Sequence, residues 1–511
     1  GECEFPVELR GEWFQKGEPE PIRIGRTNIS TKGVCKEVHD KKFLVENPSS
    51  KCLRCIGISA KHANVLQYKE TPYCSGQRSH EDVCREFTGD ALLYSLFRLN
   101  GTAVDCPFPG PLSFEYSQGH GQCRQPASSI EACTDSSRLL LRFQACADVQ
   151  GSESREEQLT CLGFWKEGSL RYLVGKLDHR AAKTDEDKFR CFVYEKSPHE
   201  TPVAQSGDAT CDGLTSPLEG SRTMVLRQGW PSQEHCSWPE WLSGRWRALG
   251  GGAIYEVLNS SLELRGPSGE LLVRMRCHSK GTAQAPHVQM LVHATQGCDN
   301  GYRCMRLYRR ASHILEMQLG RPSSDKSEAC NSPHFEPGRA ELVTLLREQP
   351  GAELERGLCP LAGTFLLEGP QVWRLAWDET VLDPACPQRS QLSSGCSRED
   401  RLELLFDCSP HRRLRSFQCH GSWEENGTHF LIASAMHNQR RYCILVFRKY
   451  GKIAHCSHYG ESTFFWTLLS PLTAGECQEG NGATRSRTTV VLWMALFASG
   501  LWRHLWRAPR L

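Results

Sequence analysis

Short apolar runs bounded by polar turns dominate the pattern along this chain. Residues 189–194 and 442–447 are rich in aromatic and β-branched side chains, and residues 271–275 are similar. Such runs are typical of β-strands. Stretches rich in proline, glycine and serine at 201–219 and 321–338 indicate loops or linkers. The pattern predicts a mostly β protein.

Two segments depart from the strand pattern. Residues 89–98 and 338–347 space their leucines three and four positions apart, as one face of a helix does. We therefore expect a short amphipathic helix in each segment.

An internal duplication organises the second and fourth parts of the chain. Several blocks recur in the same order, with their cysteines nearly in register. The matched blocks are CPFPG at 106–110 and CPLAG at 359–363, RLLLRFQAC at 138–146 and RLELLFDC at 401–408, and CLGFW at 161–165 and CHGSW at 419–423.

The segments before these blocks also match each other, more weakly, through GEW at 11–13 and GRW at 244–246. We therefore predict four small disulfide-stapled β modules, sandwich-like or barrel-like, in the order A-B-A-B, with the short helices at the A–B junctions. The predicted modules are 1–98, 99–212, 236–347 and 348–478, with a linker at 213–235 and a C-terminal segment at 479–511.

Cysteine usage places the chain outside the reducing cytosol. The chain has 26 cysteines in 511 residues, which is typical of secreted, disulfide-bonded proteins. Zinc is the alternative, but only Cys52 and Cys55 have the tight spacing of a zinc site, so no metal is expected. The disulfide candidates are Cys3, Cys35, Cys52, Cys55, Cys106, Cys123, Cys133, Cys146, Cys161, Cys191, Cys236, Cys277, Cys298, Cys304, Cys359, Cys386, Cys396, Cys408, Cys419 and Cys443.

Glycosylation sequons agree with an extracellular location. The acceptor candidates are Asn28, Asn100, Asn259 and Asn426. The first residue is Gly1 rather than methionine, so we expect that a signal peptide has been removed.

The C-terminal segment predicts attachment to the cell surface. Residues 488–502 carry no charge but fall short of the roughly 20 residues that span a bilayer. Small residues at 481–483, a polar spacer and this apolar tail are typical of a lipid (GPI) anchor signal, with Asn481 as the attachment candidate. The alternative is a single membrane span with a short basic cytoplasmic tail.

Charge and motifs exclude some function classes. The net charge of +2 gives no indication of a nucleic-acid partner. Basic groups at 309–310, 411–415 and 440–441 favour solvated strand ends, with a heparan-sulfate site as the weaker alternative. We find no nucleophile elbow, zincin motif, P-loop or dinucleotide fingerprint, so we predict no enzyme activity, no catalytic residue and no cofactor. A secreted hydrolase with dispersed catalytic residues is the remaining enzymatic alternative.

A Gly-x-Trp pattern occurs once in each module, at Trp13, Trp165, Trp246 and Trp423. Its recurrence favours core packing over ligand contact, because binding sites seldom repeat so uniformly. The same pattern opens lipocalin-type barrels, which hold apolar ligands, although this analogy covers only the motif.

The first module resembles a known family. GEWFQ at 11–15, FLV at 43–45, CLRC at 52–55, NVLQYKET at 64–71 and residues 89–98 resemble animal cysteine-rich extracellular proteins known mainly from invertebrates. That family is built from four successive domains of unknown function and often ends in a membrane anchor. The resemblance implies secretion and four modules, and it carries no activity or site residue.

Two function classes remain open. The first is a cell-surface recognition, adhesion or receptor protein that binds an unidentified extracellular protein. The second is a carrier or scavenger of a small apolar ligand held inside a barrel. An apolar internal cavity would favour the carrier, and filled module cores would favour recognition.

Overall fold

A computed structural model describes residues 3–76, 79–108, 110–228, 236–258, 260–284, 287–348, 355–368, 389–408, 411–425, 428–436, 441–447 and 463–467. The fold is mostly β, as predicted, and its strands form three closed eight-stranded barrels and one seven-stranded sheet. The chain divides into two compact units. One unit contains the three barrels and the other contains the seven-stranded sheet.

The first barrel is an antiparallel ring in which each strand pairs with the next and the last pairs with the first. Its strands are β1 (Gly11–Phe14), β2 (Ile22–Ile24), β3 (Asn28–Ile29), β4 (Gly33–His39), β5 (Lys42–Asn47), β6 (Cys52–His62), β7 (Val65–Glu70) and β8 (Tyr94–Arg98). Trp13, Phe43, Ile56 and Leu96 belong to one buried cluster in this barrel.

A tryptophan–arginine contact closes the first barrel where β1 meets β8. The ring of Trp13 is fully buried, and its Nε1 donates to the last carbonyl of the 3-10 helix Val7–Leu9 at 3.0 Å. The Arg98 guanidinium lies 4.1 Å from the Trp13 ring centroid and donates to the carbonyl of Arg10 at 3.0 Å. Gly11 has φ +136°, and a Cβ there would lie 2.4 Å from Arg98 Nη1. Glycine at position 11 therefore suits this contact, because it adopts the positive φ and leaves room for the guanidinium.

The second barrel follows the same plan. Its strands are β9 (Leu112–Ser117), β10 (Gln122–Ala132), β11 (Arg138–Phe143), β12 (Arg155–Glu167), β13 (Leu170–Asp178), β14 (Phe189–Tyr194), β15 (Glu200–Gln205) and β16 (Arg222–Gln228). Strand β16 pairs with both β15 and β9. The predicted linker at 213–235 is therefore wrong over β16, because this strand is needed to close the ring.

The third barrel repeats the first. Its strands are β17 (Gly244–Ala248), β18 (Ile254–Val257), β19 (Leu262–Arg265), β20 (Leu271–Gln284), β21 (His287–Gln296), β22 (Asp299–Arg309), β23 (Ile314–Leu319) and β24 (Leu342–Glu348). Trp246 is buried and donates to the carbonyl of Leu242 at 2.8 Å. The Arg347 guanidinium lies 5.6 Å from the Trp246 ring, so the same closing contact recurs.

The second unit contains a sheet whose strands follow chain order. These are β25 (Gly363–Glu368), β26 (Arg389–Ser394), β27 (Arg401–Cys408), β28 (His411–Glu425), β29 (Thr428–Ala435), β30 (Arg441–Phe447) and β31 (Thr463–Thr467). Leu404, Phe417 and Leu431 are buried in one cluster. The pairing of β30 with β31 is parallel, in contrast to the rest of the described strand pairs of this sheet.

Short helices are present, α1 (His80–Arg85) and α2 (Asp185–Lys188), but the two leucine-rich junction segments are not helical where we predicted them. They end in strands β8 and β24. In β8, Leu96 faces the core of the first barrel while the next residue, Phe97, is buried in the cluster that joins this barrel to the second. A strand that is buried on both faces loses its alternation, so its apolar run resembles a helix.

The first and second barrels are joined by an apolar interface. Phe189 stacks on Phe14 and Phe97, with ring centroids 5.1 and 5.0 Å apart. The buried Asn64 Nδ2 donates to the carbonyls of Thr102 and Leu162, both at 2.7 Å. The segment at 64–71, which carries part of the family resemblance, therefore has a structural role in docking one barrel on the next.

The tryptophans of the B modules are half-buried, which corrects the prediction that all four are core residues. Trp165 stacks on Tyr172 at 5.1 Å, and Trp423 stacks on Phe430 at 5.2 Å. The register shifts between Cys161 and Gly163, and a matching shift occurs in β28. Such a bulge adds one residue to the strand, so Trp165 moves from the inner face to the outer face.

Replacing Trp13 by alanine should destabilise the first barrel by about 3–5 kcal/mol, the cost of removing a buried large aromatic side chain. Trp165→Ala is the matched control, and we expect it to cost about 1 kcal/mol because a half-buried stacked ring is lost. Hydrogen exchange of the amides of β1 and β8 measures the first effect locally. Equal protection of these strands in wild type and Trp13→Ala would contradict the closing role of the tryptophan.

Candidate binding cleft between the second and third barrels

Disulfide bonds are present throughout the described chain, and no cysteine within it is free. Pairs at matching positions of the repeats have matching bonds, such as Cys3–Cys35 with Cys236–Cys277, and Cys106–Cys161 with Cys359–Cys419. Further bonds between described cysteines are Cys52–Cys74, Cys55–Cys84, Cys123–Cys146, Cys133–Cys298, Cys191–Cys211 and Cys304–Cys330, and Cys396 and Cys443 are also disulfide-bonded.

One of these bonds connects two barrels. Cys133, which follows β10, is bonded to Cys298, which lies between β21 and β22. In the first barrel the residue equivalent to Cys298 is Cys52, and it bonds to Cys74. The third barrel has no cysteine in the position of Cys74, so Cys298 is available to the second barrel. Beside the bond, the amide of Thr134 donates to the carbonyl of residue 297 at 2.8 Å.

A cleft of about 570 Å³ lies between the second and third barrels, lined by residues next to this disulfide. Its third-barrel wall follows from strand alternation. On β20, Met275 and Cys277 are buried in the barrel core, so the residues between and beside them, Arg274, Arg276 and His278, face outward into the cleft.

Cross-strand pairing arranges this wall in two rows. In one row, Arg276 is directly opposite His293, and His293 is opposite Tyr302. The edge of the His293 ring meets the Tyr302 ring, with centroids 5.2 Å apart. The second row holds Arg274, Thr295 and Asn300 in the same order of strands. The wall is therefore polar, cationic and partly aromatic.

The second-barrel wall carries an ion-pair network. Arg142 Nη1 lies 3.1 Å from Glu131 Oε1, and Arg142 Nε lies 2.7 Å from Glu156 Oε1. Asn300, from the other wall, donates to Glu131. Burial raises the pKa of the Glu131 carboxyl, and the Arg142 charge and the Asn300 hydrogen bond oppose this rise. Both walls therefore share one hydrogen-bonded carboxylate.

Arg276 differs from the other cleft arginines. Arg142 is paired with two glutamates, and Arg274 lies 3.2 Å from Glu263. Within the described part of the chain, Arg276 has no carboxylate within 4.0 Å and no hydrogen-bond acceptor. Burial and the nearby charge of Arg274 lower its pKa, and the more distant Glu131 carboxylate partly opposes them. The cleft therefore contains a half-buried guanidinium whose charge is not neutralised by direct contact.

His293 is a neutral hydrogen-bonding group at physiological pH. Burial, followed by the charges of Arg142 and Arg276 and by His278, lowers its pKa to about 4. Only one ring nitrogen of a neutral imidazole carries a proton, so the ring offers one donor and one acceptor.

Several predicted site residues lie elsewhere or outside the described ranges. Asn28 and Asn100 are exposed, as sugar acceptors must be. Asn259, Asn426, Asn481, the side chains of Cys386 and Cys408, and residues 488–502 lie outside what the structure describes. In the described residues, no helix is long and apolar enough to cross a membrane.

One group of side chains has the spacing of a metal site, Cys55, His80 and Cys84. The two cysteines form a disulfide with each other. Because thiolate is the metal-binding form of cysteine, this group is not a metal site in the oxidised protein.

Sequence reasoning missed the cleft residues. Glu131, Arg276 and His293 occupy alternate strand positions, where polar residues usually face solvent. The available signal was the unequal cysteine count of the two A modules, which left Cys298 without the partner that its repeat predicted.

Comparison with known proteins assigns three domains but no activity. Family models described as domains of unknown function match residues 1–88 (DUF7044), 102–228 (DUF7042) and 232–344 (DUF7043). No curated protein and no solved structure matches the chain. The predicted composition from domains of unknown function is therefore confirmed over these ranges, while a fourth domain and an animal origin stay predictions.

Acidification should destabilise the third barrel through His293. Its pKa is about 4 in the folded chain and 6.5 for an unperturbed ring, so the unfolded state binds the proton first as pH falls. The contribution of neutral His293 to the free energy of unfolding is complete above pH 6.5. It decreases towards pH 4, by about 3 kcal/mol in total. As pH falls across this range, the unfolding temperature should therefore decrease less steeply for His293→Gln than for wild type.

The exposed His120 supplies the control for this experiment, since His120→Gln should leave the wild-type slope unchanged. Glu131 titrates in the opposite sense, because its raised pKa favours the protonated folded state at low pH. Because Glu131 is present in wild type and in both variants, its effect cancels when their pH profiles are compared. Parallel pH profiles for wild type and His293→Gln would refute the role of His293.

Proposed function

We propose that this protein is an extracellular recognition protein of the cell surface, in which rigid barrels present binding surfaces to another protein. The observation that carries this proposal is that the barrel interiors are filled by their own side chains. Function is then expected on the outer surfaces and in the loops, which are the usual binding elements on a rigid scaffold.

The first barrel illustrates the filling. Its core holds Trp13, Phe43 and Tyr68, and these residues are at most 4% exposed. A void lined mainly by apolar residues such as Ile22 and Ile58, together with Lys32, measures about 10 Å³, which is room for no more than one water molecule. Small-molecule sites typically enclose about 300–1,000 Å³, so this core does not suit an apolar ligand.

The other two barrels are filled by different residue types. Phe114, Phe143 and Tyr194 are buried in the core of the second barrel. Four methionines fill the third, at Met275, Met290, Met305 and Met317. Eight-stranded barrels have an interior that side chains can just fill, so the carrier hypothesis is the weaker one for these barrels.

An extracellular setting is supported by the disulfides, because bonds of this number persist in oxidising compartments. The exposed sequon residues Asn28 and Asn100 are available for glycosylation. We further propose, from the sequence of the C-terminal segment, that a lipid anchor holds the protein at the cell surface, with a single membrane span as the alternative. We propose no enzymatic activity.

The purified, oxidised protein should bind saturably to the surface of cells that carry its partner, and protease treatment of those cells should abolish the binding. A reduced and alkylated sample is the control for folded structure. Organic extracts of the purified protein should contain no stoichiometric apolar compound. A bound lipid in these extracts, together with no protease-sensitive binding on any cell type of a broad panel, would overturn the proposal in favour of a carrier.

A further inference from the structure

We propose that the cleft between the second and third barrels binds an anionic group, a carboxylate, sulfate or phosphate, carried by a small polar molecule, with Arg276 as its charge partner. The proposal concerns a site for a small molecule and not a surface for a protein. The inference therefore does not depend on finding a protein partner.

Charge pairing selects Arg276 among the cleft cations. Arg142 is occupied by two glutamates and Arg274 by Glu263, so neither has a free carboxylate-binding edge comparable to that of Arg276. Partly burying a charge without a counter-charge is costly. A ligand anion in the cleft would supply the missing counter-charge.

The chemistry of the guanidinium group fits this role. Its planar fork of donors matches carboxylate, sulfate and phosphate oxygens in a two-point contact, which is shorter and stronger than a neutral hydrogen bond. His278 lies two residues further along β20, on the same outward face, and Lys326 adds a further cation to the lining. In the lining, Arg142, Arg274, Arg276 and Lys326 outnumber the carboxylates Glu131 and Glu156, so the net charge of the cleft is positive.

The remaining lining suits a polar ligand body. Gln144 and Asn300 offer amide groups, Tyr302 offers a phenol, and neutral His293 offers one donor and one acceptor. The cleft volume of about 570 Å³ lies within the usual range of small-molecule sites, about 300–1,000 Å³. A molecule of sugar size with one acidic group meets both conditions.

The disulfide Cys133–Cys298 and the contact of Asn300 with Glu131 hold the two walls together. Such preorganisation reduces the ordering cost of binding.

Isothermal titration with glucuronate tests the proposal, and glucose serves as the neutral molecule of the same ring size. Inorganic sulfate and phosphate form the second arm, so the result distinguishes a carboxylate site from a site for tetrahedral oxyanions. We expect saturable binding of at least one anion, no binding of glucose, and weaker binding at higher ionic strength.

Arg276→Gln should weaken this binding at least about tenfold, because a hydrogen bond to a charged group is lost. Arg303→Gln is the matched control. Arg303 lies in the same barrel, is also half-buried with its pKa lowered by burial, donates to Gln296 and does not line the cleft. Its replacement should leave anion binding unchanged.

Detection of the peptide that joins Cys133 to Cys298 in both variants shows that the barrels remain folded and linked. Unchanged anion binding in Arg276→Gln, equal loss in Arg303→Gln, or no binding of any of the three anions to the wild-type protein would each overturn the proposal.

Discussion

Eight strands close into a barrel whose interior is just wide enough for side chains to fill, and the buried residues of the three barrels occupy that space. In the first and third barrels a Gly-x-Trp segment meets an arginine of the last strand, at Trp13 with Arg98 and Trp246 with Arg347. This contact completes the ring and places a large side chain in the core. We therefore place the proposed anion site where two barrels meet and not inside a barrel.

The two joints of the three-barrel unit differ in chemistry. Around Phe189 the first and second barrels meet through stacked aromatic rings and buried amide contacts, which leave a packed interface. Between the second and third barrels a disulfide replaces apolar packing, and the facing walls carry arginine, glutamate and histidine side chains. A covalent link tolerates a polar gap, because it does not need apolar burial to hold the walls together.

Much of this architecture could be predicted from the sequence. The repeats gave the A-B-A-B order, and matched cysteines form matched bonds at Cys106–Cys161 and Cys359–Cys419. Prediction failed where a distant element decides the outcome. Strand β8 lost its alternation because the second barrel covers its outer face, and Trp165 changed face because of a bulge. Predicting the cleft requires knowing which barrel Cys298 contacts, and the local sequence pattern does not contain that information.

The pairing of Cys133 decides whether the cleft exists as described, because its two walls belong to barrels that are joined at this point. Proteolysis of the non-reduced protein, with thiols blocked beforehand, followed by mass spectrometry identifies the partner of each cysteine. We predict one peptide that joins Cys133 to Cys298 and separates on reduction. A bond from Cys133 to another cysteine of its own barrel, or a free thiol at Cys298, would contradict it.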